Sequence, residues 1–370
     1  MKKRNIKLIT IFKTNNIGAI LQAFALKTIL ENYGKVALVD IKNHHIDKGI
    51  KLVRFGKTFK SILSVGKDIL RLSSRKLLIK KFNLFLKKFK VMGLDQINNE
   101  VTVRDYFFTG SDQIWNPDCI SNNSKIDKRY FFENIESNNI YAYASSKGSH
   151  DYTKDQESVF LSLISKFNKI SVREKDFCDY LIRNKFLSAE HVLDPSLLLP
   201  KKSWLNFDFK LDSNIDKKLP QKYILVYTIP RIKILPDLIL HVKKTLGLPV
   251  IIIDQNFKSF KYTDVQLKSA GPEDFINLFN RADFVITDSF HGTCFALNFN
   301  KNFITADIGH LSNRVKSILR LVNLDDRLVN NKEVIKFNTK KSLSINFEES
   351  NNILDIERKR CLNFIDDCFQ

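Results

Sequence analysis

The chain has little of what holds small stapled or metal-bound proteins together. Its five cysteines (Cys119, Cys178, Cys294, Cys361 and Cys368) are an odd number, widely spread, with no C-x-x-C pair and no histidine at ligand spacing. Neither a disulfide framework nor a zinc or iron–sulfur site is expected. Cys178 and Cys294 sit in apolar segments and read as small core residues. Only 12 glycines and 8 prolines are present, which excludes collagen-like and low-complexity classes. No apolar run approaches the roughly 20 residues needed to cross a bilayer; the longest, Ile17 to Leu30, contains Gln22 and Lys27. Met1-Lys2-Lys3-Arg4 looks like a signal n-region, but Lys13 cuts the apolar stretch after it and no small-residue cleavage site follows, so a cytoplasmic protein is expected.

What is present is ordinary globular composition, 44% hydrophobic and 27% charged over 370 residues, enough for two domains with their own cores. The balance is strongly basic, 60 Lys and Arg against 40 Asp and Glu. Much of that excess lies in Lys51–Lys90, which holds 13 Lys and Arg and one acid, Asp68. There Ile62, Leu63, Ile69, Leu70, Leu77, Leu78, Phe82, Phe85, Leu86 and Phe89 recur close to helical spacing, predicting one or two helices with a basic face. Such a face is either simply solvated or a peripheral contact for anionic lipid, including a lipid-linked diphosphate. No nucleic-acid motif accompanies the charge, so nucleic acid is not an expected partner.

Along the chain the pattern alternates strand and helix. Ile6–Phe12 reads as a strand, 13–18 as a turn, Ala19–Tyr33 as a helix ended by Gly34, and Val36–Ile41 as a strand, a βαβ beginning. Short strands then run into polar loops: Tyr106–Thr109 into 110–115, Ile140–Ala144 into 145–148, Ile170–Val172 into Arg173-Glu174, and Val192-Leu193 into 194–196. After an interruption at 199–219 the alternation restarts. Strands are predicted at Tyr223–Thr228, Val250–Asp254 and Phe284–Thr287, helices at Pro236–Leu246, Pro272–Asn280 and Thr293–Asn300. The expected fold is α/β, with two Rossmann-like domains facing a cleft. Domains are expected at 1–205 (with a basic helical insertion at 51–90), at 206–348, and a C-terminal helix at 349–370 packing back on the first domain.

The most informative segment is 270–293, AGPEDFINLFNRADFVITDSFHGT. The strand FVIT delivers Asp288, Ser289 and His291 at its C-terminal end, the usual ligand edge of a parallel sheet. Gly292 there lets backbone approach a ligand, and a following helix N-terminus favours an anion. His291 is placed for acid/base work near neutral pH, or is a structural histidine satisfied by backbone.

With that segment in place, the sequence resembles the polysaccharide pyruvyl transferase family. The resemblance is carried in order by NNIGAILQAFAL, FFTGSDQIWNP, YAYASSKG, SVREKDF with LDPSLLL, the PEDFINLF…DSFHGTCFALNF segment and GHLSNRVKSIL, spanning about residues 5 to 330. It implies a glycosyltransferase-B-like fold and transfer of a pyruvyl ketal from phosphoenolpyruvate to a sugar of a bacterial cell-surface polysaccharide precursor, with release of phosphate. It implies no metal and no cofactor beyond phosphoenolpyruvate as donor substrate. A site for that donor needs arginine forks and one acid/base group. His291 fits the acid/base role, and Arg173 and Arg314 are anion candidates, each with a bland alternative as an ion-paired or solvent-exposed arginine. Asp112 and Gln113 could orient the acceptor hydroxyl, or form an Asx-type turn over a packed Trp115. Asn16 and Gly18 occupy the first strand–helix turn, a natural phosphate or sugar contact, and Ser145, Ser146 and Lys147 are acceptor candidates. The family's R-x-H-G pattern is broken here by Ser289, so a donor arginine comes from elsewhere, Arg314 or Arg281, or the donor differs. The alternatives are a glycosyltransferase of the same architecture with a nucleotide-sugar donor, and a non-catalytic anion- or lipid-binding module.

Overall fold

The computed structural model describes residues 4–47, 52, 71–97, 101–229, 232–256, 260–330 and 333–370. The chain divides into two compact units, one of residues 1–50, 86–199 and 355–370, the other of 51–85 and 200–354.

The first unit is built on a parallel sheet in the order β3-β2-β1-β4-β5-β6-β7. Its strands are β1 (Arg4–Ile9), β2 (Gly34–Asp40), β3 (Val91–Gly93), β4 (Asp105–Thr109), β5 (Ile140–Ser145), β6 (Lys169–Val172) and β7 (Glu190–His191). The second unit repeats the plan as β10-β9-β8-β11-β12-β13. Its strands are β8 (Ile224–Tyr227), β9 (Val250–Ile253), β10 (Val265–Leu267), β11 (Phe284–Thr287), β12 (Asn302–Ala306) and β13 (Leu328–Val329). Both orders reverse direction at their middle, between β1 and β4 and between β8 and β11. Those two points are where a doubly wound sheet opens a crevice at its carboxyl edge. The central strands, buried on both faces by helices, read as near-continuous apolar runs such as ILVY, VIII and FVIT.

Among the described residues the helices of eight or more residues are α1 (Ile17–Leu30), α2 (Leu72–Leu86), α3 (Lys154–Ile164), α4 (Lys175–Arg183), α5 (Leu235–Leu246), α6 (Pro272–Arg281), α7 (Phe290–Asn298), α8 (Asn313–Leu321) and α9 (Glu348–Asp367). Among the described residues no helix is long and apolar enough to cross a membrane.

Several sequence expectations are corrected. Gly34 does not end α1 through a left-handed turn; it opens β2, where a Cβ would stand 2.5 Å from the Arg4 carbonyl oxygen. The basic segment does not stay with the first unit. Its described helix α2 buries Leu78, Phe82 and Phe85, sets Phe85 5.7 Å from Phe209, and ties Lys81 to Asp212 at 2.9 Å and Asp274 at 2.8 Å. Residues 51 and 53–70, with Ile62, Leu63, Ile69 and Leu70 of the expected apolar face, lie outside the described residues, and Leu77 is exposed. The unit boundaries fall at 199/200 and 354/355, not at 205/206 and 348/349. The C-terminal helix does return to the first unit: Phe369 stacks on Tyr33 at 4.5 Å and lies 5.5 Å from Phe108. Cys178 and Cys294 are buried.

Candidate active site

In the first unit the carboxyl edge of the sheet is closed by a buried polar strap. Gln22, one turn into α1, donates to Thr10 Oγ1 at 3.0 Å, to the Ile11 carbonyl at 3.2 Å and to the Ala19 carbonyl at 2.8 Å. Its own carbonyl accepts from the Ser111 hydroxyl, and Thr10 donates to the Ser111 carbonyl at 2.8 Å. The ends of β1 and β4 are thus sewn together across the reversal point. In the sequence Gln22 only interrupts an apolar run; the signal it carries there is a lone amide side chain within the otherwise apolar IGAILQAFAL, which a buried helix must satisfy by hydrogen bonds. Asn16 caps α1, its Oδ1 accepting from the Gly18 N–H at 3.0 Å and the Ala19 N–H at 3.4 Å. Its side chain therefore serves the helix first.

Beside that strap lies a buried charge cluster. Arg173, with its side chain at 0% exposure, donates from Nη1 to Asp194 at 2.9 Å, from Nη2 to Asp112 at 3.2 Å and from Nε to Glu174 at 3.3 Å. Burial works against its charge, but Asp112, Glu174 and Asp194 outweigh it and raise the guanidinium pKa. Ser146 donates to Glu174 at 2.5 Å and accepts from the Gly148 N–H at 2.9 Å. Asp112 is held in the left-handed region, φ 72°, a conformation that costs a non-glycine residue energy and survives because the cluster fixes it. Gln113 accepts from Asn116 at 2.8 Å, and Trp115 is packed among Phe131, Phe160, Phe167 and Phe177. The expectation that Arg173 offers a fork to an incoming anion is thereby revised. Each of its donor nitrogens already faces a carboxylate, and an anion there would have to compete with three of them.

In the second unit the same edge carries Asp288, Ser289 and His291. Asp288 follows β11 and reaches across to the end of β8, accepting from the Thr228 hydroxyl at 2.5 Å and the Ile229 N–H at 3.0 Å. Burial pushes its carboxyl up to about 6, although those two hydrogen bonds favour the ionised form. Helix α7 begins at Phe290, earlier than the expected Thr293, so His291 stands in its first turn and is buried. Ser289 is the N-cap: its hydroxyl accepts from the Gly292 N–H at 3.3 Å while its own N–H donates to Thr287 Oγ1 at 3.0 Å. An arginine at 289 could not accept that bond, a physical reason for serine at this departure from the family pattern. Gly292 does not face open space. A Cβ there would lie 2.2 Å from Thr287 Oγ1 and 3.1 Å from the Tyr227 ring, so glycine is needed to seat α7 on the sheet.

Of the two proposed substitute arginines, Arg281 is at the wrong edge. It ends α6 just before β11 begins, at the amino edge of the sheet, and pairs with Asp216 at 2.5 Å. Arg314, in the first turn of α8, sets its guanidinium 5.5 Å from the centre of the Phe290 ring, in reach of the start of α7. It is half-buried. Arg314 therefore stands beside Phe290 at the positive end of α7, His291 follows Phe290 in the same turn, and Asp288 bridges β11 to the end of β8.

The model of the polysaccharide pyruvyl transferase family matches residues 16–310. The chain belongs to that family. The match takes in the segments named above from Asn16 to the start of the GHLSN element, including Asp112, Arg173, Asp288 and His291, and ends before Arg314. No curated protein matches the chain in sequence. Among solved structures, the S. aureus MnaA–UDP complex overlays with a TM-score of 0.55 at 14% identity, covering 99% of this chain and 96% of that one. A putative UDP-N-acetylglucosamine 2-epimerase from Listeria monocytogenes gives 0.53 at 10% identity, over 100% and 97%. The UDP-GlcNAc 2-epimerase from Methanocaldococcus jannaschii gives 0.50 at 13%, over 95% and 98%. At such identities the likeness shows the fold alone: this pyruvyl transferase family member is built from two parallel-sheet α/β units of the glycosyltransferase-B kind.

The buried Asp288 makes the carboxyl edge of the second sheet sensitive to pH. A carboxyl whose folded pKa lies above its unfolded one penalises the ionised native state. That penalty is absent below the unfolded value, grows between about pH 4 and 6, and is complete above the folded value. Asp288→Asn removes it. Relative to wild type, the variant should gain stability as pH rises from 4 to 7, by on the order of 2–3 kcal/mol. Denaturation at the two pH values checks this; a stability difference that does not change with pH contradicts it.

Proposed function

We propose that this family member transfers a pyruvyl group from phosphoenolpyruvate to a sugar hydroxyl pair of a bacterial cell-surface polysaccharide precursor, as a cyclic ketal, releasing phosphate. The observation that carries the reading is His291 in the first turn of α7 at the carboxyl edge of the second sheet, in a chain that the family model matches. In this reading His291 donates a proton to the methylene carbon of the donor, and C2 becomes cationic. One sugar hydroxyl bonds to C2, the C2–O bond to phosphate breaks, and a second hydroxyl bonds to the same carbon to close the ketal. The hydroxyl protons return to His291 and to the departing phosphate. Arg314 and the positive end of α7 hold the donor's carboxylate and phosphate, and Asp288 holds the β8 end in place. In the first unit, Asp112, Gln113 and Ser146 act by shaping the carboxyl edge around Arg173 rather than by touching the reacting carbon.

The test is thermal-shift titration with phosphoenolpyruvate, on wild type and on Arg314→Ala. A ligand that binds only the folded state at 100 times its Kd stabilises by about 2.7 kcal/mol. The expected result is a rise in wild type that is lost in the variant. A rise with UDP-GlcNAc and none with phosphoenolpyruvate would instead favour a nucleotide-sugar donor, the reading that the UDP complex among the structural neighbours supports.

Association with an anionic membrane surface belongs to the same reading. On α2, Lys76 and Lys80 are exposed beside Leu77 and Leu84, the composition of a helix that lies on anionic lipid. Sedimentation should show binding to vesicles containing phosphatidylglycerol and not to pure phosphatidylcholine; equal binding to both ends the idea.

A further inference from the structure

Away from the strap and the charge cluster, the first unit carries two open clefts that no step above uses. Where β2 ends, the chain leaves through Ile41-Lys42-Asn43 into a short turn of helix, His44–Asp47. Facing it is the loop 120–129. The two segments are fastened at their base by buried Asn43, whose amide donates to the Ile120 carbonyl at 2.8 Å and to Tyr130 Oη at 3.2 Å. They are fastened again at the rim, where His45 Nδ1 meets Asn122 Oδ1 at 2.5 Å. Between them lies a cleft of about 590 Å³. A second, of about 550 Å³, adjoins it and shares Lys42 and Arg129 as a common wall. Each is large enough for a disaccharide-sized ligand.

The walls of the first cleft are fixed, and there Lys42, Lys125, Lys128 and Arg129 face a single carboxylate, Asp127. Arg129 is locked flat by Asp127, through Nε at 2.9 Å and Nη2 at 2.6 Å, while Nη1 donates to the Ile41 carbonyl at 2.9 Å. That pairing consumes the only carboxylate of the first cleft. Lys128 pairs with Glu133 at 2.9 Å. Lys42 and Lys125 are exposed, one on each segment, and their ammonium groups make no ion pair among the described residues. Both segments also hold a non-glycine residue in the left-handed region, Lys42 at φ 52° and Ser124 at φ 52°. Each is pinned by a local hydrogen bond, Lys42 N–H to Asp40 at 3.0 Å and the Ser124 hydroxyl to Asp118 at 2.6 Å. Strain of that kind persists where a surface is held in one shape. No Phe, Tyr or Trp lines the cleft, so a nucleobase has nothing to stack on. What the walls offer is amide, hydroxyl and imidazole hydrogen bonding around two unneutralised cations.

We propose that this cleft binds an anionic sugar unit, a uronate or a sugar phosphate, with its negative group between Lys42 and Lys125 and its hydroxyls on His44, Asn122 and Asn123. As the acceptor-chain subsite it rests on the pyruvyl-transfer reading; as a site for acidic saccharide it does not.

The experiment is calorimetric titration of the full chain with glucuronosyl-(1→4)-glucose, with glucose 6-phosphate, and with cellobiose as the neutral counterpart, on wild type and on Lys42→Gln/Lys125→Gln. Both lysines are exposed, so the double variant should melt with wild type, which is measured first. The expected result is at least tenfold tighter binding of an acidic sugar than of cellobiose, reduced to near parity in the variant. Which of the two acidic sugars binds separates carboxylate from phosphate. Equal affinity for acidic and neutral sugars, or a charge preference that survives the double substitution, overturns the proposal. A chain that shows the saccharide preference but no thermal shift with phosphoenolpyruvate keeps the cleft and loses the donor reading; the reverse pattern keeps the donor and loses the cleft.

Discussion

Replacing Arg173 by alanine should unfold the first unit far more readily than any surface change, and the expected cost is about 3–5 kcal/mol. The reason is the company it leaves behind. Asp112, Glu174 and Asp194 converge on one guanidinium whose side chain has 0% exposure. Without it, three buried carboxylates face each other with no cation among them, and some must take up protons. Part of the positive-φ strain at Asp112 would also lose its anchor. For a unit of this size the loss corresponds to a fall of roughly 10 °C in its unfolding midpoint. Arg173→Lys should fall between, keeping one charge but not the three-way fork. Calorimetry, read as two transitions where the units separate, checks it. A variant that melts with wild type would mean the cluster is not what holds the edge of the first sheet.

Replacing His291 by alanine should have the opposite signature, a large loss of turnover with little loss of fold. A positioned general acid contributes about 10²–10⁴-fold to rate, so phosphate release from phosphoenolpyruvate in the presence of acceptor should fall by that factor. The donor-induced thermal shift should persist, because Arg314 and the helix end remain. The substitution removes a ring that packs beside Phe290, so the unliganded melting curve is recorded alongside. Turnover within a factor of about three of wild type would remove His291 from the acid/base role.

The two histidine and arginine outcomes also mark what was legible in the sequence. The strand FVIT followed by DSFHGT placed His291 at the carboxyl edge, since strand and helix periods are written locally and the edge follows from the parallel plan. The expected start at Thr293 falls three residues late because Ser289, which stands at the ligand edge, is the cap of α7. Asn16 posed the same ambiguity. Serine and asparagine are the preferred residues for both tasks, and only the hydrogen-bond partner tells them apart. Arg173 was read with its neighbour Glu174, but the partners that decide its role, Asp112 and Asp194, are 61 and 21 residues away, beyond any local pattern. Apolar spacing likewise gave α2 its buried face, Leu78, Phe82 and Phe85. It carried no information about which unit that face would cover. The Lys42–Lys125 cleft was invisible for the same reason, being assembled from two loops some eighty residues apart.

Pyruvyl transfer by this protein is read most plainly in its product. Surface polysaccharide is purified from cells carrying the intact gene and from cells carrying His291→Ala, and the pyruvate freed by mild acid is quantified per repeat unit. Pyruvate present in the first and absent from the second, with the polysaccharide otherwise unchanged, is the predicted result. The same pyruvate content in both, or none in either, would contradict pyruvyl transfer by this protein.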